Sequence, residues 1–338
     1  MQEADKSMSQ MDRVVIIGAG LAGLAAARRL KAAGYDVLVL DKGRRIGGRI
    51  STRRANGYLF NHGAQFVTAR STEFSEICLS AEQTGKMALW DIGRKAPCFS
   101  GRPDMRGLAE MLGDGLNIIQ QCEISDIAVI DAQFQLTDTK AQHYQARHLL
   151  VTSPAPQTAR LVRPLSDEAA SIAEQARYHP CWTVMAGFAT PCDGLDQIAS
   201  LSGGHIASAT AERARPGASG LTQSLTLQAN EAFSAEWLEA PDTDRIIRML
   251  MAEFGRISEL TLPEADYLSA HRWRYAKVEQ PVDAQSKRLF DVGAASGYLG
   301  IAGDWHPVSA DIRPATGQRA EEAFLSGHSL AEALISTR

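Results

Sequence analysis

Gly18-Ala19-Gly20-Leu21-Ala22-Gly23 sets three glycines at the spacing by which a chain grips a pyrophosphate. The first permits a tight turn, the second lets backbone approach the ligand, and the third lets a helix pack close to a strand. Val14 to Ile17, just before it, is β-branched and reads as a buried strand, whereas Leu21 to Ala32 is rich in alanine and leucine and reads as a helix. A diphosphate on that helix N-terminus would meet free N–H groups and the positive end of the helix dipole. Asp41 stands 18 residues beyond Gly23, closing a second apolar strand, Tyr35 to Leu40. There a carboxylate can accept a hydrogen bond from a ribose hydroxyl. Strand, helix, strand and acid in register predict a bound dinucleotide; a merely alanine-rich packed helix would leave Asp41 unexplained.

The following residues bear on which dinucleotide. Gly47-Gly48-Arg49 lies in a segment that also holds Arg44, Arg45, Arg53 and Arg54. Arginine forks match phosphate oxygens, and paired glycines let backbone pass close to a cofactor. Two or three of these arginines are expected only to solvate a loop. Arg44 and Arg45 could meet the 2′-phosphate of NADP, but Asp41 would repel it, which favours FAD.

The elements that must position these residues come from a chain of 338 residues, 45% hydrophobic, with a net charge of −4 and a pI near 6.1. Such a composition excludes disorder as the main state and gives no global pull toward nucleic acid or anionic lipid. The apolar or glycine run Val14 to Ala27 is too short to span a bilayer. It resembles a signal-peptide core in length, but Asp12 stands where a basic flank is wanted and the pattern runs on into another strand. Five scattered cysteines (Cys78, Cys98, Cys122, Cys181, Cys192) signal neither a disulfide framework nor a zinc site, so a reducing cytoplasm is expected. His62, His179, His205 and His306 show no metal-ligand spacing and read as structural or surface residues.

Short strands are expected at 117–121, 124–130, 133–137 and 148–152, with Pro154 and Pro156 breaking the chain after them. Beyond Ser166 the reading is a helix at 167–176, a strand at 182–189, a Gly/Ser/Ala-rich loop at 202–220 and a strand at 222–228. Helices follow at 231–239 and 243–256, strands at 265–275 and 298–302, and a last helix at 319–335. Residues 1–10 read as a mobile polar tail.

Asp41-Lys42-Gly43-Arg44-Arg45-Ile46-Gly47-Gly48-Arg49 and Gly63-Ala64-Gln65-Phe66-Val67-Thr68-Ala69-Arg70 resemble the flavin amine oxidase superfamily, and within it the bacterial renalase-like FAD oxidoreductases. Further matching stretches are Thr152-Ser153-Pro154-Ala155-Pro156-Gln157, His271-Arg272-Trp273-Arg274-Tyr275-Ala276, Gly303-Asp304-Trp305 and Ala323-Phe324-Leu325-Ser326-Gly327. They run in family order from about residue 12 to the C-terminus. The resemblance implies an α/β fold in which a Rossmann-type FAD-binding domain is interleaved with a smaller α+β substrate domain, as in amine oxidases and p-hydroxybenzoate hydroxylase. The expected boundaries are 11–75, 100–160 and 295–338 for the first and 76–99 and 161–294 for the second.

By the same resemblance Gly18, Gly20, Leu21, Ala22 and Gly23 would hold the FAD pyrophosphate, and Asp41 with Lys42 the adenosine ribose. Arg44, Gly48 and Arg49 would lie on the phosphate side, Ile124 beside the adenine, and Gly63, Ala64 and Gln65 near the isoalloxazine ring. Gly303 and Asp304 would meet the ribityl chain or pyrophosphate, and the last helix would point its N-terminal N–H groups at the flavin C2 carbonyl. His271, Trp273 and Tyr275 alternate with Arg272 and Arg274, so a strand puts three rings on one face. The rings fit an aromatic core stripe or, with Gln65, a substrate-facing wall, and the resemblance favours the wall. No cysteine follows Cys192, so noncovalent FAD is expected.

Three departures border the expected substrate cavity. Glu322, preceded by Glu321, replaces the family's usual glycine near the flavin pyrimidine; the stretch from His306 to Thr316 is long; and Ser208 and Glu212 stand near family Trp and Asn positions. The implied activity is hydride transfer from misreduced dihydronicotinamide isomers, 2- or 6-dihydro-NAD(P), to flavin and on to dioxygen, giving NAD(P)+ and hydrogen peroxide. A dihydropyridine has no proton to surrender, which suits a sequence without a convincing acid/base pair. An amine oxidase or desaturase acting on another small molecule, and a dinucleotide-binding protein without turnover, are the alternatives.

Overall fold

A computed structural model describes residues 13–218, 220–309 and 319–338. The expected tail at 1–10, and residues 310–316 of the long stretch after His306, lie outside the described residues. The chain divides into two compact units, each discontinuous in sequence. One comprises Met1–Gly48, Ala109–Arg177 and Val278–Arg338; the other comprises Arg49–Leu108 and Tyr178–Lys277. Residues 49–75 and 100–108 therefore belong with the second unit, and 161–177 and 278–294 with the first, in place of the boundaries expected from sequence. The reason is local packing. Tyr58 and Phe60 bury their rings with Met185 and Tyr267, whereas Leu289–Asp291 extends the sheet of the first unit.

That sheet has six strands in the order Leu289–Asp291, Tyr298–Ile301, His148–Val151, Arg13–Ile17, Asp36–Asp41, Asn117–Gln120. All neighbours are parallel except the first pair. Val14, Val15, Ile16, Val39, Leu40, Leu149, Leu150 and Val151 are wholly buried, the continuous apolar pattern of a parallel sheet covered on both faces. An antiparallel meander, Ile124–Ile130, Gln133–Asp138 and His143–Ala146, fills the crossover from Asn117–Gln120 to His148–Val151. The order reverses between Arg13–Ile17 and His148–Val151, and the crevice at such a switch point is where doubly wound sheets take ligands.

The opening helix, Leu21–Ala32, has the expected bounds and stops at Gly34, whose φ of +86° a side chain would resist. The C-terminal helix, Arg319–Ile335, packs along it so closely that a Cβ at Gly327 would overlap the carbonyl oxygen of Ala22.

The second unit is built on a five-stranded sheet ordered Leu201–Gly203, Ile206–Ala211, Ser224–Ala229, Arg177–Gly187, Tyr267–Gln280. Helix Thr243–Ser258 covers it with Ile246, Leu250 and Phe254, all wholly buried. The segment 202–220, read as a loop, instead contains most of a hairpin and a 3-10 turn at Glu212–Ala214. Nor does the chain simply break at Pro154 and Pro156: helix Ala155–Val162 starts there, with Pro156 in a first turn that needs no amide donor. Among the described residues no helix is long and apolar enough to cross a membrane.

Gly327→Ala drives a methyl group into backbone that cannot yield. A loss of about 1–3 kcal/mol in urea unfolding is expected, with far-UV dichroism of the folded state unchanged.

Candidate functional site

In the first unit the two glycine segments meet. Gly18 turns with φ +110° and donates its N–H to Leu40 O at 2.8 Å, while Gly47 donates to Ala19 O at 2.8 Å. Gly48 thereby comes beside Gly20, within 3.4 Å of its Cα for an added Cβ. Gly20 is the N-cap of the opening helix, with no side chain capping it and no acidic residue in the first turn. A Cβ on Gly20 would meet nothing within 4 Å, so the helix end opens onto space. Uncapped amides, an undiminished helix dipole and open space together fit a diphosphate.

Asp41 does more than face a ribose. Its Oδ2 accepts from Ala19 N at 2.6 Å and its Oδ1 from Gly43 N at 2.7 Å, so the carboxylate ties both turns to the end of its own strand. Gln121 N and Cys122 N donate to Gly43 O and Asp41 O, at 3.0 Å each, which brings buried Ile124 to the same end of the sheet. Lys42 and Arg44 are exposed there, Lys42 at 3.9 Å from Glu123. Leu21 and Ala22 are buried in the first helical turn.

Gly303 joins the site through the C-terminal helix. Its N–H donates to Ser326 Oγ at 3.1 Å, and that hydroxyl donates to His306 O at 2.7 Å. Glu322 stands one turn before Ser326 on the same helix face, and Asp304 follows Gly303, so the two carboxyls become neighbours. Glu322 is 6% exposed, and neither of its oxygens has a hydrogen-bond partner among the described residues. Burial, then the charges of Glu321 and Asp304, push its carboxyl up to about 7. The departure seen in the sequence thus sits inside the fold and does not point to solvent.

In the second unit His271 and Trp273 meet edge to face, ring centroids 4.4 Å apart, as alternation on strand Tyr267–Gln280 requires. His62, read from sequence as structural, completes a cluster: it stacks on Trp273 at 5.4 Å and meets His271 edge-on at 5.2 Å. Trp273 Nε1 donates to His62 O at 3.0 Å. Burial, the neighbouring His271 and Arg53 hold His62 down to about 3; burial and Arg53 hold His271 down to about 4. Both imidazoles are uncharged at neutral pH. The signal in the sequence was adjacency, since His62 directly precedes the Gly63-Ala64-Gln65 motif. Tyr275 meets Tyr178 at 5.6 Å, and Arg49 Nη1 donates to Tyr275 O and Ala276 O at 3.4 Å.

Gln65 turns inward. Its amide nitrogen donates to Asn61 O at 2.5 Å and Gly63 O at 3.2 Å, and its Oε1 accepts from Arg215 Nη2 at 2.6 Å. Arg215 in turn donates to Glu212 Oε2 at 2.7 Å. Glu212, wholly buried, also accepts from Asn61 N, Asn61 Nδ2 and Thr226 Oγ1 at 2.7–2.8 Å. It was expected at a cavity border; with every contact spent internally, it is an anchor that holds the 61–65 segment. Ala64 N donates to Arg49 O at 2.8 Å and Gly63 N to Ser51 O at 3.3 Å, fixing the rest of that segment.

Residues 16–78 match the family model of the NAD(P)-binding Rossmann-like domain. Over 63 residues the chain is 51% identical to phytoene desaturase (neurosporene-forming) of Rhodobacter capsulatus, covering 19% of this chain and 12% of that protein. Over 67 residues it is 45% identical to L-amino-acid oxidase of Demansia vestigiata, covering 19% and 13%. The matched stretches span between 6% and 16% of the length of such curated relatives. The three-dimensional likeness reaches further: cyclohexylamine oxidase from Brevibacterium oxydans superposes with a TM-score of 0.70 at 13% identity, over 96% of this chain and 99% of that one. The chain has the mixed α/β fold of the flavin amine oxidases, built on a Rossmann-like dinucleotide-binding domain.

Two substitutions test this electrostatic picture. Glu212→Ala leaves the Arg215 guanidinium buried and unpaired, and urea unfolding should show a loss of about 3–5 kcal/mol. Glu322 behaves oppositely. A carboxyl whose folded value lies above its unfolded one favours the folded state at low pH, and that advantage fades as pH rises from about 4.5 through about 7. Glu322→Gln should therefore match wild type near pH 4.5 and exceed it increasingly toward pH 8, by at most about 3 kcal/mol.

Proposed function

We propose that the chain is an FAD-dependent oxidoreductase that binds FAD noncovalently through the first unit and oxidises 2- or 6-dihydro-NAD(P) to NAD(P)+ with dioxygen as acceptor. The uncapped, open helix end at Gly20 supports the dinucleotide, and the Asp41 carboxylate at that site disfavours a 2′-phosphate and hence NADP as the resident cofactor. When bound, FAD would supply a two-electron acceptor for the hydride, and dioxygen together with one proton from solvent would take up the electrons as hydrogen peroxide. Gly18, Gly20, Leu21, Ala22 and Gly23 would hold its pyrophosphate on the free helix amides, and Asp41 would fix the turns that present them. Gly303 and Asp304 would approach from the neighbouring turn, and Ile124 would border the adenine.

The substrate reading rests on the ring cluster of the second unit. Trp273 stacks on His62 and is only partly buried, His62 and His271 are uncharged, and the cation acting on both imidazoles is that of Arg53. Such a wall suits an electroneutral dihydropyridine carried on an anionic diphosphate; it opposes a protonated amine. A dihydropyridine becomes aromatic on losing hydride, so no general base is needed and two neutral imidazoles suffice to orient the ring.

Anaerobic titration of the purified, flavin-loaded protein separates the readings. Stoichiometric bleaching of the flavin absorbance by 2- or 6-dihydro-NAD(P), with none by a panel of amines, is expected; bleaching by amines alone would establish the amine oxidase reading instead. Trp273→Leu should lower kcat/KM for the dihydronicotinamide at least tenfold, at unchanged flavin content.

A further inference from the structure

Glu322 is buried in the first unit with neither carboxyl oxygen hydrogen-bonded among the described residues. Buried carboxyls are costly unless paired, and Glu212 in the second unit shows how this chain pays when the role is structural, with four donors on two oxygens. Glu322 has none among the described residues, although it is 94% buried by its 6% exposure. Its neighbours deepen the cost, since the charges acting on it are the carboxyls of Glu321 and Asp304. The opening helix brings no acid in its first turn, and its basic residues lie toward the far end, where Arg29 pairs with Glu332. Strand Leu289–Asp291 brings Asp291, whose Oδ1 accepts from Gly293 N at 2.8 Å, and Arg288 before it donates to Pro307 O at 3.2 Å. Arg319 shares the helix with Glu322 and has partners of its own. Position completes the case. The helix carrying Glu322 is locked by Gly327 onto Ala22, in the turn that opens at Gly20, and by Ser326 onto Gly303.

We propose that Glu322 is a proton-bearing residue of the cofactor site: its carboxyl, in the uncharged form, donates a hydrogen bond to the bound dinucleotide, so that binding the cofactor takes up one proton from solvent. The proposal rests on the reading of the chain as a flavoprotein. It satisfies the unpartnered carboxyl without adding a third negative charge beside Asp304 and Glu321. The proton goes from solvent to a Glu322 oxygen, and no bond to the cofactor is made or broken.

FAD binding to the deflavinated full-length protein tests this by calorimetry in buffers of differing ionisation enthalpy. At pH 8, one unit above the apoprotein's value of about 7, uptake of about 0.9 proton per FAD is expected, against almost none at pH 5.5. The dissociation constant should weaken about tenfold between pH 5.5 and pH 8, because only about a tenth of the protein is then competent. Glu322→Gln keeps a donor and loses the titration. It should bind FAD with no Glu322-linked uptake and with the tight, acid-side constant at both pH values. Glu322→Gly, which removes the buried carboxyl, should bind more weakly than Gln at both and also without the pH dependence. Equal proton uptake in wild type and both variants would overturn the proposal while leaving the flavoprotein reading intact. Failure of wild type to bind FAD at either pH would overturn both.

Discussion

The contact on which the first unit depends is backbone against backbone, the Gly327 Cα seated on the Ala22 carbonyl. Only two chains without an intervening side chain can approach so closely, and that approach fixes the C-terminal helix in both depth and rotation. With rotation fixed, Ser326 meets the Gly303 amide and Glu322 comes beside Asp304. The sheet imposes the same dependence, since Tyr298–Ile301 pairs with His148–Val151 next to the opening strand. The dinucleotide turn near the start of the chain is therefore completed by residues about 300 positions later, a contact of very high sequence separation that costs loop entropy before it returns any packing.

The two units treat buried charge in opposite ways. In the second, Glu212 and Arg215 saturate one another and the 61–65 backbone, and a saturated ion pair can orient a segment but has no capacity left for a ligand. In the first, Asp41 divides its oxygens between two turns and keeps spare lone pairs, while both oxygens of Glu322 are uncommitted among the described residues. Unspent hydrogen-bonding capacity in a buried group is what separates a residue awaiting a partner from one that already has its partners.

Local features were legible in the sequence and tertiary ones were not. The bounds of helices Leu21–Ala32 and Arg319–Ile335 were readable because period, alanine content and the terminating Gly34 all agree. The hairpin Leu201–Gly203/Ile206–Ala211 was missed since small residues give a strand no apolar alternation, and its stability comes from the neighbour strand Ser224–Ala229. Strand His143–Ala146 was hidden for a similar reason, its pairing with Gln133–Asp138 supplying what His-Tyr-Gln-Ala does not. The glycine turns of the candidate site could be read from spacing alone. The Glu212–Arg215–Gln65 anchor could not, because its members are brought together only by the folded second unit.

The cysteines acquire a meaning that counting them did not supply. A flavin oxidase of the kind proposed releases peroxide beside its own chain, and peroxide attacks thiolate, not thiol. All five cysteines are buried. Burial raises the thiols of Cys98, Cys122, Cys181 and Cys192 above their ordinary value. Kept protonated and out of solvent, they would leave peroxide formed in the proposed reaction with no exposed cysteine thiolate among the described residues to attack.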